Sequence, residues 1–193
     1  MSKSECVYAD WRAIGFEDGA AGMPATAISE RRQACAAAGV TPNMSEYLAG
    51  RDEGLQEYCT PANGFASGEE GQPYTGACAR HNEPAFVEQH RLGSRLFVLR
   101  DRVRSANYAL RQANEDLGGV KARLTQTAAA ILSPDISVID RAMLVTQVKD
   151  LAEESERIER SMPALRTNLD VAQADLAAYE TQLASRPAQF AVR

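Results

Sequence analysis

Mostly apolar residues recur at alternating spacings of four and three over two long stretches of this chain. The first stretch has twelve such positions: Leu92, Leu96, Leu99, Val103, Ala106, Leu110, Ala113, Leu117, Val120, Leu124, Thr127 and Ile131. The second has twelve more: Leu144, Val148, Leu151, Ser155, Ile158, Met162, Leu165, Leu169, Ala172, Leu176, Tyr179 and Leu183. Between them lies a segment that is typical of the end of one helix and the start of another, Leu132-Ser133-Pro134-Asp135. Two seams of equal length joined by a short turn predict an antiparallel coiled-coil hairpin.

The seams divide the chain into a head, an arm and a tail. We expect an all-α protein with a Cys/Gly-rich helical head over residues 1–83, a hairpin arm over 84–186 and a tail over 187–193. The head carries 6 Lys and Arg against 12 Asp and Glu. No basic face emerges, which argues against nucleic acid as a partner. No stretch reaches the roughly 18 apolar residues needed to cross a bilayer.

Charge is also divided between the two halves of the arm. Residues 84–131 hold eight basic and four acidic residues, whereas residues 135–185 hold five basic and ten acidic ones. Opposite charges favour pairing of the two helices with each other. Five arginines near the acidic head form a candidate interaction patch, and we expect head and arm to dock there: Arg91, Arg95, Arg100, Arg102 and Arg104.

The four cysteines, Cys6, Cys35, Cys59 and Cys78, all lie in the head. No close pair of the CxxC type is present, which disfavours a zinc site. Four buried free thiols in a cytosolic protein are an alternative. Two disulfides are favoured because so small a Gly-rich head has little core to stabilise it. Of the three pairings, we favour Cys6–Cys35 with Cys59–Cys78, since sequential pairing suits short helical hairpins.

The head also contains a degenerate repeat of an aromatic residue, a glycine, two acids and a second glycine. Its members are Trp11, Gly15 and Gly19, then Tyr47, Gly50 and Gly54, then Phe65, Gly68, Gly71 and Tyr74, with a fainter echo from Phe86 to Gly93. Glycines four apart share one helix face and permit close approach of another backbone. The first two segments therefore predict short helices that pack closely.

Local signals place the remaining elements of the head. A helix is predicted over residues 26–38, with Ile28 and Ala34 facing inward and residues 29–33 facing outward. Gly39 is its expected C-cap, and Asn43 or Ser45 caps the next helix. The stretch from Thr60 to Thr75 contains Pro and Asn-Gly breakers, so we predict a loop there.

Paired acidic residues in the repeat are candidate calcium ligands. They are Glu17 and Asp18, Asp52 and Glu53, and Glu69 and Glu70. The alternating acids of an EF-hand are missing, so solvated helix faces are the expected role, and no metal or cofactor is predicted. His81 and His90 are the chain's two histidines. Neither lies in a nucleophile motif, and we expect no enzymatic activity.

Two features interrupt the middle of the arm. Pro163 removes a backbone hydrogen bond from the second helix and is expected to kink it. With Leu92 facing Leu183, it would lie opposite Gln112, near Gly118-Gly119. Tolerated irregularity and a functional hinge are the two interpretations.

The head resembles a bacterial family known as domain of unknown function 2799. The resemblance covers about residues 6 to 100, and its most distinctive part is the stretch Tyr58-Cys59-Thr60-Pro61-Ala62-Asn63-Gly64-Phe65. It also includes Asp10-Trp11, Ile14-Gly15-Phe16, Gly50-Arg51, Tyr74 and Cys78. The resemblance implies a small Gram-negative envelope lipoprotein, held by an acylated Cys a few residues before this domain, which this sequence does not include. It implies no activity and no functional residues.

These observations lead to one expected function and two alternatives. We expect a non-enzymatic, periplasmic interaction or scaffold protein that is anchored to the outer membrane and uses its coiled-coil arm to bind an unidentified protein partner. A homodimer with swapped arms stays open. The first alternative is a chaperone-like or assembly factor, which exposed apolar residues off the seam, such as Phe97, Val98, Tyr108 and Val145, would favour. The second is a small-ligand or calcium binder using the loop at 60–75, which needs a pocket at Asn63-Gly64-Phe65 and Tyr74.

Overall fold

A computed structural model describes residues 3–37 and 39–186, and this part of the chain is helical without a strand. The helices are α1 (Lys3–Val7), α2 (Trp11–Ala20), α3 (Ile28–Ala37), α4 (Met44–Tyr58), α5 (Pro61–Glu69), α6 (Glu83–Ile131) and α7 (Val138–Ala184). A short 3-10 turn, Ala25–Ala27, precedes α3. The all-α class predicted from the sequence is confirmed.

The chain forms two compact units. The first contains the described residues up to Val98, and the second contains Leu99–Ser185. The first unit thus extends about four turns into α6, beyond the boundary expected at residue 83. The reason is that Phe86, His90 and Gly93 of α6 pack against α5.

Helices α2 and α4 touch through their glycines. A Cβ atom added to Gly15 would overlap the carbonyl oxygen of Tyr47, and one added to Gly50 would overlap that of Arg12. Gly19 and Gly54 make the equivalent contacts farther along the same helices. The helix-destabilising glycines, each costing about 1 kcal/mol relative to Ala, are therefore explained by backbone-to-backbone packing.

Helix α5 and the start of α6 repeat this arrangement. Added Cβ atoms at Gly64 and Gly68 would overlap the carbonyl oxygens of Phe86 and His90, and one at Gly93 would overlap that of Phe65. The prediction of a loop over residues 60–75 is therefore wrong for α5. Pro61 occupies the first turn of the helix, where its missing N–H costs nothing, and Thr60 caps it.

The two helix pairs correspond at most of the positions where their helices touch. Gly15, Gly19 and Gly22 have the same spacing as Gly64, Gly68 and Gly71. Gly22 and Gly71 both adopt positive φ, and a Cβ on either would strike an aromatic ring, Tyr58 or Phe97. In each pair, a side chain of the second helix also reaches the backbone carbonyl oxygen of the residue after the positive-φ glycine. Arg51 Nη2 donates to Met23 O at 2.7 Å, and His90 Nε2 lies 2.7 Å from Gln72 O. The first unit is built on an internal structural repeat.

Each helix pair has its own disulfide and its own small core. Cys6–Cys35 lies with Trp11, Ile28 and Tyr47 in one cluster. Cys59–Cys78 lies with Leu55 and Phe86 in the other, where the Phe86 ring contacts the rings of Tyr58 and Tyr74. The connectivity is the sequential one favoured from the sequence.

Helix α3 follows the local signals closely. It covers most of the predicted range, its Ile28 is buried, and Gly39 ends it with φ of 75°. Asn43 caps α4 by accepting a hydrogen bond from Glu46 N. One expectation fails: Arg31 was predicted to face outward but is half-buried, because it binds the buried Asp18. Ala34, whose side chain was expected to face inward, lies outside the described side chains.

The second unit is the predicted antiparallel hairpin. Helix α6 ends at Ile131 and α7 begins at Val138 with Ser137 as N-cap, so the turn lies where the sequence placed it. Every one of the 24 predicted seam positions is buried or half-buried, and Val120, Leu151 and Tyr179 are among the buried ones. Burial of a continuous apolar seam is the main source of stability for such helices.

Ion pairs between the two helices fix their register. Arg100 pairs with Glu180 and Arg102 with Asp175, at 3.9 and 3.1 Å. Farther along, Lys121 pairs with Glu159 at 2.6 Å and Arg123 with Glu154 at 3.6 Å. Residue numbers increase along α6 as those of their partners on α7 decrease, so the two helices are antiparallel. In each pair a basic residue of α6 binds an acidic residue of α7, as the division of charge predicts. Each exposed pair adds only about 0.5 kcal/mol, so the charges select register more than they stabilise.

The two mid-arm irregularities leave the helices continuous. Pro163 lies inside α7, where its carbonyl accepts a hydrogen bond from the Thr167 hydroxyl at 3.0 Å. Gly118 and Gly119 lie inside α6, and a Cβ at either would meet no atom within 4 Å. These glycines are therefore exposed and unlike those of the first unit. The predicted tail over 187–193 lies outside the described residues.

Candidate functional site

A buried carboxylate is the main polar feature of the first unit. Asp18 is 4% exposed, accepts a hydrogen bond from the Tyr47 hydroxyl at 2.8 Å and pairs with Arg31 at 2.8 Å. The expectation of a solvated acid pair is wrong for Asp18, although its neighbour Glu17 is exposed. The network joins α2, α3 and α4, which is typical of an internal brace.

Two tyrosine hydroxyls are held in environments that oppose their ionisation. Burial, and then the hydrogen bond to the Asp18 carboxylate, raise the pKa of Tyr47 from 10.0 to about 12. Burial and the hydrogen bond to Glu83 raise the pKa of Tyr74 to about 12 as well. Tyr74 also accepts a hydrogen bond from Cys78 N at 3.0 Å, which ties it to the second disulfide.

We expect the first unit to unfold in alkali. A pKa that is higher in the folded state than in the unfolded state gives stability that is complete below about pH 10 and is lost as pH rises toward 12. Absorbance at 295 nm and far-ultraviolet circular dichroism, followed together, should show two late-titrating tyrosines that ionise as helix is lost. The Tyr47→Phe variant should lose one late step. Ionisation of all six tyrosines near pH 10 with the fold intact would contradict the expectation.

A cleft in the first unit brings a histidine and a carboxylate together. His81 Nε2 lies 3.0 Å from Asp52 Oδ1. The pair borders a cleft of about 560 Å³ whose other walls include Arg51, Arg80 and Leu55. All four cysteine sulfurs are in disulfides, so none is available as a nucleophile beside this pair. The ligand pocket considered at Asn63-Gly64-Phe65 is replaced by a helix whose Gly64 is closed off by Phe86.

The remaining acids of the repeat do not converge. Asp52, Glu53 and Glu70 are exposed, and Glu53 pairs with Arg12 across α2 and α4. Among the described residues no three His, Cys, Asp or Glu side chains are grouped to hold a metal ion. The acids therefore act as surface charge and helix-to-helix pairing.

The arginine patch is largely engaged within the second unit. Arg100 and Arg102 pair with acids of α7, and Arg104 pairs with Asp101 at 2.9 Å. Arg91 and Arg95 are exposed on the part of α6 that belongs to the first unit. The five arginines thus do not form one continuous free surface.

The end of the hairpin carries the most exposed large apolar side chains of the second unit. Leu132 is 81% exposed, Val138 85% and Ile139 74%, and Met143 at 59% and Val145 at 55% lie beside them in the sequence. Residues 124–148 contain only 3 charged residues in 25, whereas the 25 residues before them contain 9 and the 25 after them contain 10. Exposed apolar side chains clustered in this way mark an interaction surface more often than isolated ones do.

This cluster was only partly foreseen. Of the four off-seam candidates, Val98, Tyr108 and Val145 are exposed, but Phe97 is half-buried beside Gly71. Val138, Ile139 and Met143 precede the second seam or lie outside it, so the seam pattern did not account for them. Depletion of charge over residues 124–148 is the signal that would have found them.

Comparison with known proteins places only the first part of the chain. No described helix is both long and apolar enough to cross a membrane. No curated protein and no solved structure matches the chain. The sequence model of a family described as "Protein of unknown function (DUF2799)" matches residues 10–95, which include both glycine-packed helix pairs. Residues 10–95 thus form a domain of the DUF2799 family, whose function is unknown.

Proposed function

We propose that this chain is a non-enzymatic interaction protein that presents the end of its helical hairpin to a protein partner. The observation that carries the proposal is the group of exposed apolar residues at that end, in the stretch of the hairpin with the fewest charged residues. Apolar side chains exposed to this degree gain about 25 cal/mol for each Å² that a partner covers. The rest of the hairpin contains more charged residues, and several of them form ion pairs between the two helices.

The disulfides support a location outside the cytosol. Two buried bridges in a small Gly-rich unit are typical of proteins that mature in an oxidising compartment. Together with the family resemblance, this supports the finer proposal of a periplasmic protein held at the membrane by a lipid anchor.

The apolar residues favour an interaction at one place over a clamp. Among the described residues, exposed large apolar side chains off the seam concentrate at the turn, and Val98, Tyr108 and Val171 are those that lie elsewhere in or near the arm. A clamp that holds unfolded clients needs apolar surface along its length. The exposed surface of the arm therefore does not support the chaperone-like alternative.

Site-specific photocrosslinking tests the proposal. Benzoylphenylalanine in place of Ile139, in protein exported to the periplasm of intact cells, should give a discrete crosslinked adduct. The same group in place of Asn168, an exposed polar residue of the same helix, should not. The adduct at position 139 should disappear in a Val138→Asp background. Absence of adducts from both positions, or equal adducts from both, would contradict the proposal.

A further inference from the structure

The start of α7 is apolar on two opposite sides. Leu144 and Val148 lie in the seam and are half-buried. Val138, Ala142 and Val145 recur four and three residues apart, and Ile139, Met143 and Thr146 do the same one position later. At 3.6 residues per turn, both rows lie on the side of the helix away from the seam. We call these six residues, all exposed, the hairpin-end face.

We propose that the hairpin-end face packs against the same face of a second copy of this chain, so that two hairpin ends form a four-helix bundle. The proposal rests on the function proposed above and names the partner. Helices with apolar residues at these spacings pack well against one another. Five of the six residues are apolar, and the hydroxyl of the sixth, Thr146, donates a hydrogen bond to Ala142 O within its own helix. Because a twofold interface uses one patch on both copies, such a face is self-complementary.

The area available is enough for a specific dimer. From the exposed fractions of Val138, Ile139, Met143 and Val145, and with Ala142 and Thr146 also exposed, the hairpin-end face offers roughly 600 Å². Complete burial of this face on two copies would cover about 1,200 Å², the lower limit for specific interfaces. Leu132, 81% exposed in the adjoining turn, can add to this area. We therefore expect a reversible dimer rather than an obligate one.

Charge complementarity selects an antiparallel dimer. Asp135 and Lys149 lie seven residues on either side of Ala142, the middle of the hairpin-end face. Asp135 lies in the turn, three residues before α7 begins, whereas Lys149 lies inside α7. When two copies of α7 cross antiparallel about Ala142, Lys149 of each copy approaches the turn of the other copy that contains Asp135, and this approach occurs twice. Both residues are exposed, and Lys149 otherwise has only a 3.7 Å approach to Glu153 on its own helix. A parallel arrangement would place like charges together.

The chemistry of the end favours a protein surface over a lipid surface. Helices that lie in a membrane interface carry Trp or Phe on the apolar face and several Lys or Arg on the polar face. Residues 124–148 contain no aromatic residue, and their charged residues are Asp135, Asp140 and Arg141. Such a segment has little attraction for anionic lipids.

Sedimentation equilibrium of the full chain tests the dimer, at concentrations up to about 100 μM because interfaces near the lower size limit bind in the micromolar range or weaker. Ile139→Glu with Met143→Glu should raise the dimer dissociation constant at least tenfold. The control Val171→Glu, at a half-exposed position far along the same helix, should leave it unchanged. Lys149→Asp and Asp135→Lys should each weaken the dimer, and their combination should restore it.

The outcomes separate this inference from the proposed function. A monomer at all concentrations, or a dimer that tolerates Ile139→Glu with Met143→Glu, would overturn the inference. If the monomer still gives a discrete crosslink from position 139 to a different protein in cells, the proposed function stands and the second copy is excluded. Binding of the monomer to vesicles of anionic phospholipid would instead identify a lipid surface and overturn both. Circular dichroism at 222 nm checks that each variant remains helical.

Discussion

Replacing Gly50 with alanine should destabilise the first unit by about 3 kcal/mol or more, although alanine is the better helix former. The added methyl group would overlap the carbonyl oxygen of Arg12, which belongs to a helix backbone and cannot move aside as a side chain can. Moving α2 away would also open the contacts of Gly15 and Gly54. The loss of packing should therefore exceed the gain in helix propensity of about 1 kcal/mol.

The single tryptophan makes this measurable. Trp11 is 8% exposed in the core beside α4, so its fluorescence during urea unfolding reports on this unit. The matched control is Gly119→Ala, another glycine inside a helix but with no atom within 4 Å of an added Cβ. It should leave the Trp11 transition unchanged and strengthen the hairpin by about 1 kcal/mol. Equal stability of Gly50→Ala and the unsubstituted chain would show that α2 and α4 are farther apart than described.

The contrast between these glycines shows what the sequence can convey. Spacing alone indicated that Gly15 and Gly19 share a face, and close packing followed from it. The same kind of reasoning identified every seam position, because an apolar residue at regular spacing reports directly on burial. Gly118 and Gly119 carry no such spacing, and their exposure became clear only from the structure.

Other features depend on partners distant in the chain. Asp18 resembles any surface acid until Tyr47 and Arg31 are placed around it by two other helices. Helix α5 was missed because Pro61 and Gly64 are helix breakers in isolation. In the structure Pro61 begins the helix and Gly64 meets Phe86, so tertiary packing overrides the local preference. The matching spacings of Gly15, Gly19, Gly22 and of Gly64, Gly68, Gly71 were the available signal.

The hairpin end illustrates the remaining gap. A seam pattern identifies residues that the chain buries in itself, whereas an interaction surface consists of residues that it leaves exposed. Val138 and Ile139 lie just before the second seam, so the seam pattern does not include them. Their importance follows from their exposed fractions, 85% and 74%, and from the small number of charged residues in the stretch 124–148.

Reduction of both disulfides should unfold the first unit. By the loop-entropy relation, bridges that span 29 and 19 residues contribute about 3.5 kcal/mol each, or about 7 kcal/mol together. A domain of this size has a total stability of about 5–15 kcal/mol, so most or all of it would be lost. Loss should be seen as a shift of Trp11 fluorescence to the unfolded value in dithiothreitol, at a urea concentration that leaves the oxidised protein folded.

The two bridges should contribute separately, because each lies in a different core cluster. Cys59→Ala with Cys78→Ala should weaken the α5–α6 pair by about 3 kcal/mol and leave the Cys6–Cys35 bridge in place. The hairpin contains no cysteine, so its helical signal at 222 nm should persist in the reduced protein. If reduction leaves the Trp11 transition in urea unchanged, the core and the glycine contacts hold the unit without the bridges. The disulfides would then give no energetic reason to expect an oxidising compartment, because the fold would be equally stable in the cytosol.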